Sequence, residues 1–151
     1  MFPLATDLLS QLVRARLTCL TQLRDIGLKQ MELVRDGNMT ALLNLLSAKQ
    51  RPLTELQRIE SALDPFRGQD PEARRWRRAE DRAACARHVK ECEAMLREII
   101  AQEKECETTL VRRRDDAAVR LQGIHSAGLA RGAYTAPSHA QVSQLDLQVG
   151  P

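Results

Sequence analysis

EARRWRRAEDRAACARHVKECEAMLREIIAQEKECETTLVRRRDDAAVRLQ, residues 72–122, holds neither glycine nor proline across 51 residues. As one helix it would span about 77 Å at the usual rise of about 1.5 Å per residue. Its apolar positions follow a heptad. Steps of four and three from Cys85 give Cys85, Val89, Cys92, Leu96, Ile99, Glu103, Cys106, Leu110, Arg113, Ala117, Arg120 and Ile124, nine of the twelve apolar. One thin seam therefore persists, with charge elsewhere. A seam of this kind calls for a partner helix, not burial on every side.

Outside that stretch, glycine and proline punctuate the chain at positions 3, 27, 37, 52, 65, 68 and 71, and again at 123, 128, 132, 137, 150 and 151. Upstream, apolar residues recur every three or four positions and predict helices over about 4–35 and 39–63. Gly37 suits a left-handed C-cap and Asn38 an N-cap, and so short a connection makes the two helices antiparallel. Pro52 removes one backbone bond from the second helix. Residues 64–69 read as a loop, and Asp70-Pro71 restarts a helix over about 71–122. Residues 4–63 contain 16 leucines, whereas residues 71–123 contain only three and carry 24 charges.

The expected fold is all-α: an elongated antiparallel three-helix bundle or coiled coil with a long third helix. The bundle would occupy residues 1–123 and a flexible C-terminal tail 124–151. That tail ends on an alternating segment, Leu145-Asp146-Leu147-Gln148-Val149.

Composition points the same way. The chain has 151 residues, 43% apolar and 28% charged, with a net charge of +3. Its four aromatic residues, Phe2, Phe66, Trp76 and Tyr134, lie near the edges of the periodic segments. Enzyme pockets and base-stacking platforms draw on aromatics, so the composition argues for a helical bundle and against a β-sandwich or Rossmann domain. No apolar run reaches the roughly 20 residues of a membrane span. The opening residues lack a basic n-region, which predicts no secretory signal. Four cysteines make no disulfide scaffold, and a cytoplasmic protein with reduced thiols is expected.

The lengths of the helices carry the functional expectation. The first would be about 48 Å long and the second about 38 Å, so the third would pass the Gly37 turn near residues 97–100. Beyond it, Ile99, Ile100, Cys106, Leu110, Val111, Ala117, Leu121 and Ile124 would face solvent as an apolar stripe. Such a stripe marks a site for another chain, either a heterologous partner or a second copy in a homodimer. The plainer possibility is a break near Arg112–Asp116 that folds the stripe back onto the hairpin.

Other chemistry finds little support. Cys85, His88 and Cys92 share a helical face, but Cys85 and Cys92 stand about 10.5 Å apart, too far for two thiolates on one zinc at about 2.3 Å each. No metal and no cofactor are expected. His88, His125 and His139 are scattered, and no phosphate loop or nucleophile elbow is present, so no catalysis is expected. The basic run Arg74-Arg75-Trp76-Arg77-Arg78 would spread around a helix beside Glu72, Glu80 and Asp81. Its plain reading is a tryptophan packed near Phe66 with solvated arginines, not a nucleic-acid site.

Residues 32–51, ELVRDGNMTALLNLLSAKQR, are similar to the FlgN family of flagellar export chaperones. In that family a Leu-rich helix ends in a short Gly/Asp turn, followed by spaced leucines, a lysine and a further Leu-x-x-Leu run. Lys49, Leu53 and Leu56 stand in those places, while Tyr134 and Leu145-Asp146-Leu147 resemble the family's tail features. The resemblance implies a cytoplasmic chaperone that holds hook-associated proteins before export through the flagellar type III apparatus, using its C-terminal part. The alternative is a self-associating coiled-coil scaffold that uses the stripe on itself.

Overall fold

Leucines spaced three and four apart close the first helix, α1, over Ala5–Asp36, with Leu9, Leu12, Val13, Leu20, Leu23 and Val34 all buried on one side. The computed structural model describes residues 2–135. At the start of α1, the Leu4 N–H donates to the Asp7 carboxylate at 3.0 Å, satisfying a donor that the helix itself cannot. Its end is the turn that the sequence predicts. Gly37 takes φ 71°, its N–H donates to the Val34 carbonyl, and the Asn38 N–H donates to the Leu33 carbonyl. This is a Schellman closure, and only glycine adopts that φ without strain.

Asn38 then caps the second helix, α2, Met39–Arg67, by accepting from the Ala41 N–H at 3.2 Å. The two helices run antiparallel, tied by Arg16 to Glu60 at 2.5 Å and by the Cys19 thiol donating to the Pro52 carbonyl at 3.0 Å. The second helix does not stop at residue 63. It continues through Pro65 to Arg67 because one further turn buries Phe66 beside Leu63. Arg67 braces that turn through Asp64 and Glu60.

The third helix starts later than the sequence suggests. Asp70 accepts from the Glu72 N–H, but only a 3-10 turn follows, Pro71–Ala73, and the third helix, α3, spans Ala79–Thr135. Between them Arg74–Arg78 forms an irregular strap held by tertiary bonds. The Thr6 hydroxyl donates to the Arg75 carbonyl at 2.6 Å, Arg74 donates to the Phe66 carbonyl at 2.8 Å, and Arg77 grips Asp7 and the Phe2 carbonyl. As a helix this segment would instead stack arginines three and four apart. Trp76 packs against the core as expected, yet Arg74 and Arg77 are bound and not simply solvated.

At its far end α3 runs through Arg112–Asp116 without a break and through Gly123, Gly128 and Gly132, so the tail expected from 124 is helical to Thr135. Each glycine costs about 1 kcal/mol against alanine, and the residues among them, Ala127, Leu129, Ala130, Arg131 and Ala133, are strong helix formers that add little further cost. The segment Leu145-Asp146-Leu147-Gln148-Val149 lies outside the described residues, as does the side chain of Tyr134.

The fold is thus all-α, with no strand among the described residues. The chain divides into two units, Met1–Thr109 and Leu110–Pro151.

Candidate functional site

Within the first unit, α3 contributes a seam of small residues. Cys85, Cys92 and Cys106 are buried with 6%, 0% and 3% exposure, and the Cys92 thiol faces the Val13 carbonyl. The heptad through 85, 92, 99 and 106 is observed, but its alternate positions differ from expectation. Gln102 is buried where Glu103 was expected, and Val89 is exposed. The cause is that α3 contacts both α1 and α2, through Gln102 to the Arg24 carbonyl and Glu103 to Lys49, so its buried face is broader and turned relative to a two-helix seam.

Lys49 is the polar centre of this contact. Only 9% exposed, it donates to Gln30 on α1 at 3.1 Å and pairs with Glu103 on α3, so three helices meet at one ammonium. Cys106 lies beside it. Burial pushes the Cys106 thiol up, with the charges of Glu103 and Glu105 adding to the effect. Burial likewise raises Cys19, Cys85 and Cys92, so all four thiols are held protonated at neutral pH. Among the described residues no three His, Cys, Asp or Glu side chains come together to hold a metal.

The eight residues expected on the stripe therefore separate. Cys106 is buried in its own chain and Ile99 packs against the core, because α3 begins at Ala79 and stays on the hairpin as far as residue 106. The expectation of exposure is corrected for both. Ile100 is 60% exposed but belongs to the first unit.

The other five belong to the second unit. Leu110 is half-buried, Ala117 is exposed, Val111 is 41% exposed, and Leu121 and Ile124 are 68% exposed. At about 100° per residue, Leu110, Ala117, Leu121 and Ile124 fall within a band about 60° wide, whereas Val111 lies well to one side. Arg114 and Gly128 complete that line, and neither was among the expected residues. Carrying the helical pattern beyond Gly123 would have found Gly128. Every side chain from Val111 to Arg131 is exposed. Each large aliphatic side chain left wet forgoes about 1.5–3 kcal/mol of burial.

A groove of about 520 Å³ near the strap is lined by Asp7, Arg14, Trp76, Arg77, Asp81 and His88, among others. Of its two arginines, Arg77 is engaged by Asp7. Among the described residues no helix is long and apolar enough to cross a membrane. Comparison with protein-family models, with curated proteins and with solved structures finds no match to this chain.

Proposed function

We propose that this protein is a cytoplasmic export chaperone of the FlgN type. It holds hook-associated proteins through the second unit of α3 and delivers them to the flagellar type III apparatus. The observation that carries the reading is the exposed line Ala117, Leu121 and Ile124, continuing from the half-buried Leu110. It lies in the C-terminal part of the chain, where the resemblance around residues 32–51 implies client binding. The mechanism is passive. An amphipathic terminal segment of the client covers the line, both apolar faces leave water, and premature assembly of the client is blocked until release at the export gate. No catalysis, nucleotide or metal is required.

Size-exclusion chromatography of the chain with a hook-associated protein should yield a heterocomplex. Leu121→Asp with Ile124→Asp should abolish that complex and leave the helical circular dichroism unchanged, because both side chains are solvent-exposed. A chain that ignores every hook-associated protein sinks the reading.

A further inference from the structure

The exposed line of the second unit carries an electrical sign as well as an apolar one. Leu110, Ala117 and Ile124 alternate with Arg114, Leu121 and Gly128 in steps of four and three. That spacing places the first three at d positions and the second three at a positions of a heptad. In this register Arg113 and Arg120 occupy g, while Val111, Ala118 and His125 occupy e. The only acids of residues 110–135, Asp115 and Asp116, fall at b and c, away from the seam. Residues 110–135 set Arg112, Arg113, Arg114, Arg120 and Arg131 against those two acids, a net +3. With Asp146 the second unit, residues 110–151, is +2 against +1 for residues 1–109, so most of the chain's excess positive charge falls on the smaller unit.

We propose that the occupant of this face is an amphipathic α-helix of another protein, bearing Glu or Asp along the edges of its apolar stripe and seated as a coiled-coil strand. The proposal rests on the docking role assigned above and adds the partner's chemistry. Edge charges at e and g select coiled-coil partners, and here every charged edge position is basic. A second copy of this chain fits poorly. Paired in parallel, it sets Arg114 against Arg114 at an a position; paired antiparallel, it sets the g arginines against one another. An anionic lipid surface fits poorly too. Interfacial helices commonly anchor on Trp or Phe, and residues 110–133 contain no Trp, Tyr or Phe.

The test uses the full chain and two synthetic heptad peptides that share Ile at a and Leu at d. One carries Glu at e and g, the other Lys. Fluorescence anisotropy should show the Glu peptide binding at least about tenfold tighter at low salt, with the difference shrinking as salt screens it. Arg113→Glu with Arg120→Glu should reverse the preference. Equal affinity for the two peptides, or no binding of either, overturns the proposal. So does a homodimer that persists when the Glu peptide is added, or adsorption to phosphatidylglycerol vesicles in preference to the Glu peptide. A chain that takes the Glu peptide but no hook-associated protein refutes the chaperone reading and leaves this one standing. A chain that binds a hook-associated protein yet ignores peptide charge refutes this one alone.

Discussion

Gly27 faces the buried side chain of Gln102 across a gap that no Cβ could share, since one built there would lie 2.0 Å from the Gln102 Oε1. Mid-helix glycine costs about 1 kcal/mol against alanine, yet here it makes room for the amide that donates to the Arg24 carbonyl at 3.1 Å. Gly27→Ala gains the propensity and displaces Gln102, stranding a buried amide at a cost of about 1–3 kcal/mol. The net expectation is destabilisation of about 1 kcal/mol. In a Gln102→Ala background the obstruction is gone, and the same substitution should stabilise by about 1 kcal/mol. Urea midpoints of the wild type, both single variants and the double variant measure this reversal of sign as a coupling energy. An unchanged effect in the two backgrounds would show that Gly27 and Gln102 act independently.

At the scale of the element, the strap Arg74–Arg78 decides where α3 begins, and Asp7 is its anchor on α1. The Arg77 guanidinium beside Asp7, helped by the Leu4 N–H, holds its carboxyl below the usual carboxylate range. A lowered native pKa contributes stability that is present above the ordinary value and lost as pH falls through the native one. Asp7→Asn should therefore be less stable than wild type at neutral pH by an amount that stays constant down to about pH 4. Below that the gap should narrow and close, as read from urea midpoints followed by Trp76 fluorescence. A gap that persists undiminished in acid would mean that the charge of Asp7 is not what ties the strap. This contact also explains what the sequence left unread. The Gly37–Asn38 turn was legible because its determinants are local, a left-handed glycine and a side chain reaching three residues onward. The start of α3 was not, because Asp70-Pro71 is a good local start signal that bonds from Thr6, Asp7 and Phe66 override. The seam residues Cys85 and Cys92 were legible from spacing alone. Gln102 was not, because its burial depends on the vacancy at Gly27 in another helix. In the second unit the exposure of Leu121 and Ile124 could be read from spacing, whereas the burial of Cys106 follows from the late start of α3.

For the whole molecule, the division at Thr109 separates the unit that holds the buried core from the unit proposed to dock a partner. The buried residues run from Thr6 to Cys106, and the three-helix junction at Lys49 lies within the same span. Nothing from Val111 to Arg131 is buried. Stability per residue is therefore uneven, with the second unit close to the free energy of an isolated helix and the first holding the cooperative core. Ending the chain after Thr109 should keep a single cooperative thermal transition, its midpoint within about 4 °C of the full chain, the shift expected for roughly 1 kcal/mol in a domain of that size. The shortened chain should lose all affinity for the Glu heptad peptide, because the apolar line and its flanking arginines depart together. Loss of the cooperative transition would show that residues 110–151 help to fold the bundle. In that case Leu121→Asp with Ile124→Asp in the full chain should also lower the midpoint, which separates a structural role for this face from a docking role.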